Sequence, residues 1–126
     1  MGSKRISIRI KRVYAEPSEY DGRRILVDRL WARGLSKEKA KVDVWIKEIA
    51  PSTELRRWYG HDPNKWGEFK SRYAGELEAN PGLVEVILEE VQAGVVTFLY
   101  SSKEEHLNNA VALKEYIESI SRDHTA

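Results

Sequence analysis

Cysteine is absent from this chain of 126 residues. That excludes disulfides, thiolate zinc sites and a cysteine nucleophile, and it fits a reducing compartment. Long apolar runs are also missing. The stretches Ile25–Leu26–Val27 and Val95 to Tyr100 are strand-sized, far short of the ~20 residues of a membrane span. Charge of one sign is lacking: 21 Lys and Arg stand against 20 Asp and Glu, a net charge of +1. Bulk attraction to nucleic acid or anionic lipid is therefore not expected. Histidine is scarce, and His61, His106 and His124 show no metal-ligand spacing. There is no glycine-rich phosphate loop with lysine, no G-x-S-x-G elbow and no H-E-x-x-H. Neither a metal nor a cofactor is expected. Met1 to Arg5 leads into alternating charge and not into an apolar targeting segment, so the expected location is the cytoplasm. The 33% charged content is of the kind that forms ion-pair networks in heat-adapted proteins.

What is present fits one domain spanning 1–126. Ile6, Ile8 and Ile10 alternate with polar residues, which predicts a half-buried strand running to Tyr14. Arg24 to Leu30 contains a continuous apolar run, the pattern of a strand covered on both faces. Ser36 is placed to cap a short helix through Lys41, and Val42 to Ile49 suggests a third strand ended by Pro51. Ser52 or Thr53 caps a further short helix. Asp62–Pro63 opens the next helix, with Trp66, Phe69, Tyr73 and Leu77 at helical spacing. Asn80–Pro81–Gly82 separates it from another helix carrying Leu83, Val84, Ile87, Leu88 and Val91. Val95 to Tyr100 is the clearest buried strand. Ser102 and Glu105 read as a capping box opening a last helix, with fraying from Ser121 to Ala126. Strands alternating with amphipathic helices predict a small three-layer α/β domain: a mostly parallel sheet of about four strands with helices on both faces. The strand order stays open.

In such sheets ligands bind beyond the carboxyl ends of strands, near helix N-termini. Two segments take that position. In Asp28–Arg29–Leu30–Trp31–Ala32–Arg33–Gly34, two arginines and a carboxylate leave a buried strand together. The guanidinium fork matches carboxylate or phosphate, and Gly34 allows a tight turn. The plainer reading has Asp28 paired with a local arginine to hold the loop, and Trp31 in the core. Tyr100–Ser101–Ser102–Lys103 runs toward the last helix, whose unpaired amides and dipole favour an anion. Here the capping box explains Ser102 and Glu105, Glu105 opposes an anion, and Lys103 also suits a solvated surface. A third cluster, Ser52 to Arg57, brings Arg56 or Arg57 toward the same edge, leaving the other in solvent. His61 reads as a turn partner and His106 as exposed.

These residues carry a family resemblance. Ile25–Leu26–Val27–Asp28–Arg29–Leu30–Trp31–Ala32–Arg33–Gly34 resembles the "LVDRLWPRG" signature of the YeaO-like branch of the domain-of-unknown-function family 488. Ala50 to Arg56, Gly60–His61–Asp62–Pro63, the helix with Trp66, Phe69, Tyr73, Glu76 and Leu77, and Leu99 to Ala110 are similar to its later motifs. The resemblance runs from about Lys11 to Ile117 and implies an α/β fold with a polar pocket, to which Asn108 and Asn109 would contribute. It implies no activity. Where the family usually has proline, Ala32 stands. Where it usually has histidine after the asparagine at Asn108, Asn109 stands. The cysteine frequent in the closing motif of the wider family has no counterpart, so thiol chemistry does not carry over.

Two functions remain in view. The first is a site for an anionic small molecule, a nucleotide or phosphorylated metabolite, bound by Arg29, Arg33, Gly34, Ser52, Arg56, Ser101, Lys103, Asn108 and Asn109. If that site is catalytic, Asp28 is the general base, the arginines stabilise developing charge, and an activated water is the attacking group of a hydrolase or transferase. The second is a non-catalytic RNA- or protein-binding module. It would use Trp58, Tyr59, Trp66, Phe69 and Tyr73 as stacking surfaces, with basic residues such as Lys4, Arg5, Arg9, Lys11 and Arg12. No membrane partner is expected, and oligomeric state has no signature here.

Overall fold

The computed structural model describes residues 6–125, with side chains described through Ser121. In chain order the elements are β1 (Ile8–Arg12), β2 (Arg23–Leu26), α1 (Lys37–Ala40), β3 (Val44–Trp45), α2 (Thr53–Tyr59), α3 (Trp66–Glu78), α4 (Pro81–Ala93), β4 (Val96–Tyr100) and α5 (Asn109–Thr125). The strands form one parallel sheet in the order β1-β4-β2-β3. The last strand made is thus a central one, hydrogen-bonded to β1 on one side and β2 on the other. All the pairings are parallel, which the alternation of strands and helices predicts.

The period-two pattern of the strands builds two unequal layers. Ile8, Ile25, Val27, Val96, Phe98 and Tyr100 face the main core with α2, α3, α4 and α5. Leu26, Leu99 and Val13 face the other way, into a small cluster with Ala32 and Ala40 and, at its margin, Trp31, Leu35 and Val42. On that second face α1 and the loop before it stand in place of a full helical layer.

Part of the second face is polar. Asp21 and Arg24 are 3% and 4% exposed. The Arg24 guanidinium donates to Asp21 Oδ2 at 2.6 Å and to the carbonyls of Ala40 and Lys41 at 2.8 and 3.0 Å. Asp21 also accepts from Lys11 Nζ and from the Ser18 amide, and its carbonyl takes the Thr97 hydroxyl. Burial by itself would push the Asp21 carboxyl up. The Ser18 amide, Lys11 and Arg24 outweigh it and hold the group below the usual aspartate value.

Several elements differ from the sequence expectation. The third strand is only Val44–Trp45, because the chain enters a 3-10 turn over Lys47–Ile49 after the Ile46 amide bonds to Leu26 O. A short edge strand offers little template for pairing with another chain. The strand through Ile25 ends at the Val27 amide, which reaches Leu99 O, so Asp28 to Leu30 form a loop. The last helix begins at Asn109 and not after Ser102. Glu104, not Glu105, accepts the amides of His106 and Leu107, and Asn108 Oδ1 takes the Val111 amide as the cap. A capping-box pattern is present in the sequence, but these competing acceptors keep Ser102 to Leu107 nonhelical. Helix α5 also continues past Ser121, where the sequence predicts fraying, through Thr125; Ala126 lies outside the described residues.

Gly22 joins the polar network to β2 with φ +64°, and a Cβ there would lie 2.2 Å from Val95 O. Gly22→Ala is expected to lower stability by about 2 kcal/mol or more, from left-handed strain plus this clash. A lower urea midpoint at unchanged slope would show it. Removing one partner of the buried pair, as in Arg24→Met, should cost about 3–5 kcal/mol. The depressed Asp21 carboxyl contributes stability that is fully present above the unfolded value of about 4 and is lost as pH falls through its lower folded value. Asp21→Asn should therefore be less stable than wild type at neutral pH, with a shallower acid limb. An unchanged acid limb in that variant would remove Asp21 from the account.

Candidate functional site

Strands β2 and β4 are neighbours, but the helices that follow them lie on opposite faces. Ala40 of α1 packs with Leu26 and Leu99, whereas α5 packs in the main core. That divergence opens a crevice beyond the two carboxyl ends, the place where open α/β sheets bind ligands. Asp28 stands at its base. Its Oδ2 accepts the Ser101 amide at 2.9 Å and the Ser101 hydroxyl at 2.8 Å. Its Oδ1 accepts Asn109 Nδ2 at 3.0 Å, and its own carbonyl accepts Trp45 Nε1 at 2.8 Å. One side chain thus ties together the ends of β2 and β4 and the start of α5. It does hold its loop, though through a serine and an asparagine and not through an arginine.

A cavity of about 310 Å³ opens above this knot. Its lining includes Asp28, Arg29, Arg56, Arg57, His61, Ser101, Asn108 and Asn109 beside the apolar Leu30, Ala50, Pro51, Tyr59 and Phe69. Three arginines therefore face a single carboxylate. Arg29 donates Nη2 to the carbonyls of Ala50 and Pro51 at 3.1 and 3.4 Å, and its Nε is buried with no partner. Arg56 and Arg57, on the exposed side of α2, have neither hydrogen bond nor ion pair from their side chains among the described residues. Among the described residues no carboxylate forms an ion pair with any of these three arginines.

The aromatic residues form a continuous stack. Tyr59 stacks on Phe69 with centroids 4.3 Å apart, and Phe69 continues to Tyr73 at 6.0 Å. The Tyr59 hydroxyl donates to Leu107 O at 2.8 Å, and that of Tyr73 to Ile49 O. Burial holds both phenols above the ordinary tyrosine value, helped at Tyr59 by Glu104 and at Tyr73 by Glu76. Neither is a proton donor of unusual strength. His61 follows Gly60 with a positive φ of 58° of its own. That conformation is uncommon for a residue with a side chain and turns the chain back toward the cavity after α2.

Of the residues singled out from the sequence, Asp28, Arg29, Arg56, Ser101, Asn108 and Asn109 line this cavity, and Arg33, Gly34, Ser52 and Lys103 do not. Arg33 is exposed, and its carbonyl takes the Tyr14 hydroxyl at 2.8 Å. Gly34 turns with φ +76° in open space. Ser52 caps α2 through the Leu55 amide and binds the Glu76 carboxylate, facing away from the crevice. Lys103 is exposed on the nonhelical loop. Tyr59, His61 and Phe69 join the site unannounced, and Arg57 lines it together with Arg56, where only one of the two was expected at this edge. Both arginines reach it because α2 is a short helix whose end abuts the crevice. The Gly60–His61 turn was the one local signal for the histidine.

The stretches read as a nucleic-acid surface are differently placed. Arg9, Lys11 and Arg12 bond internally to Tyr20 O, Asp21 and the carbonyls of Ser101 and Ser102. Lys4 and Arg5 lie outside the described residues, as does the His124 side chain. Tyr59, Phe69 and Tyr73 are buried. Trp58 is covered by Arg72 at 4.2 Å and Lys65 at 5.0 Å, and Trp66 by Lys70 at 5.3 Å. Among the described residues no group of three or more His, Asp or Glu is arranged to hold a metal ion, and no helix is long and apolar enough to cross a membrane.

Comparison with known proteins agrees with the motif resemblance. The profile described as "Inactive DUF488-N3 subclade" matches residues 7–125. The uncharacterized protein YeaO of Escherichia coli K12 is 36% identical over 115 residues, covering 91% of this chain and 100% of the relative. The uncharacterized protein Rv3073c of Mycobacterium tuberculosis H37Rv is 46% identical over 79 residues, covering 63% of this chain and 67% of that one. No solved structure gives a significant match. The chain belongs to the DUF488 family and, within it, matches the subclade described as inactive.

Proposed function

We propose that this protein binds a small organic anion in the crevice above Asp28 and holds it without converting it. One observation carries the reading: Arg29, Arg56 and Arg57 line a cavity whose single carboxylate is already occupied. Unpaired guanidinium groups at a concave, partly apolar surface favour a ligand with carboxylate or phosphate oxygens. The arginines and the first turn of α5 are the binding elements, with Ser101, Asn108, Asn109 and His61 around them. A general base needs a lone pair aimed at its substrate. Both oxygens of Asp28 instead accept bonds from the protein, which supports binding over catalysis. The description of the matched subclade as inactive points the same way. A cytoplasmic setting, where nucleotides and phosphorylated metabolites are plentiful, suits such a role.

Thermal denaturation against a panel of nucleotides, phosphorylated metabolites, and aryl and alkyl phosphates and carboxylates tests this. A ligand at a hundred times its dissociation constant adds about 2.7 kcal/mol, which for a domain of this size raises the midpoint by roughly 10 °C. The double variant Arg56→Ala, Arg57→Ala should lose that rise, whereas Arg33→Ala and Lys103→Ala should keep it. The binding reading fails if no anion stabilises the wild type, or if the double variant responds like it. Conversion of a bound ligand, seen by phosphorus NMR, would overturn the non-catalytic half. Asp28→Asn should destabilise the free protein by about 1–3 kcal/mol, because an amide cannot accept all three bonds and leaves a partly buried donor unmade; equilibrium unfolding without ligand measures this.

A further inference from the structure

Resting on the anion-binding reading, we infer that the ligand is an anion whose charged group is joined directly to an aromatic or alkyl body: an aryl or alkyl phosphate monoester or carboxylate, and not a sugar phosphate. The cavity lining is of two chemical kinds: the cationic Arg29, Arg56 and Arg57, and the apolar Leu30, Ala50 and Pro51 with the buried Tyr59–Phe69 stack.

Leu30 is the telling residue. It is 68% exposed, yet it lines the cavity and directly follows the Asp28–Arg29 pair. Covering it with an apolar ligand surface removes that area from water, which is favourable in proportion to the area covered. Covering it with a hydroxylated sugar gains far less.

The acceptors tell the same story. A sugar would need acceptors for its hydroxyl protons, and of those the lining leaves open, Asn109 Oδ1 and the Ser101 and Ser102 hydroxyls, none is a carboxylate. The Asp28 carboxylate already accepts from Ser101 and Asn109. Asn108 uses Oδ1 on the Val111 amide and Nδ2 on Glu104 O. The Tyr59 hydroxyl is spent on Leu107 O. Buried polar groups of a ligand that find no partner weaken binding.

Calorimetric titration of the full chain with four probes decides the matter: inorganic phosphate, phenyl phosphate, benzoate and ribose 5-phosphate. At least one aryl anion should bind ten times more tightly than inorganic phosphate, and ribose 5-phosphate no more tightly than phosphate. The better of phenyl phosphate and benzoate identifies the charged group. Leu30→Ser should narrow the gap between that aryl anion and inorganic phosphate by about fivefold. This change lies on an exposed loop, and thermal unfolding of the variant confirms the fold. If phosphate and the aryl anions bind equally, or ribose 5-phosphate matches the better one, the ligand class is wrong and anion binding stands. If Leu30→Ser leaves the gap intact, the apolar lining has no role and the class is wrong again. If none of the four binds, the anion-binding reading falls with it.

Discussion

The geometry of this molecule depends on the Asp28 carboxylate. It sits where two parallel strands end and their helices diverge to opposite faces, a point at which backbone amides have no sheet partner. By accepting the Ser101 amide, the Ser101 hydroxyl and the Asn109 side chain, it closes the sheet edge and seats α5. Arg12 completes the arrangement from β1, donating to the carbonyls of Ser101 and Ser102. The carboxylate at the base of the crevice is thus fully engaged. Arg56 and Arg57 beside it are not, so the selectivity of the site follows from which charged groups the scaffold has already used.

The two faces of the sheet solve burial in different ways. The helical face is a conventional apolar core, in which the ring sequence Tyr59, Phe69 and Tyr73 links α2 to α3. The other face lacks a long helix. A buried ion pair, Asp21 with Arg24, satisfies the carbonyls of Ala40 and Lys41 that end α1. Such a pair contributes less stability than an apolar replacement of the same shape, but breaking it is costly. Here it fixes where the short helix lies against β2.

Much of this was legible in the sequence, and the exceptions have physical causes. The alternation in Ile8 to Arg12 and the unbroken apolar run of β4 announced their strands. Pro63, Pro81 and the spacing from Trp66 to Leu77 announced α3 and α4. The strand order was not legible, because two inner strands with similar apolar patterns look alike to any partner. Ser102 with Glu105 carried a valid capping signal, but the adjacent Glu104 and Asn108 captured the amides first. Asp28 stood out in the sequence, yet the bonds it makes bridge residues more than 70 positions apart, which no local pattern encodes. Arg33 and Lys103 had the right chemistry at the right strand ends and point elsewhere.

The place of β4 in the sheet has a consequence for biosynthesis. Strands β1 and β2 do not touch one another; each finds its main ladder on a segment ending at Tyr100. While the nascent chain emerges from the ribosome, its first two strands have no central template. Only the two-residue pairing of β2 with β3 is available earlier. The sheet therefore closes only after Tyr100 has been synthesised, and until then the apolar segments of β1 and β2 lack their main partner.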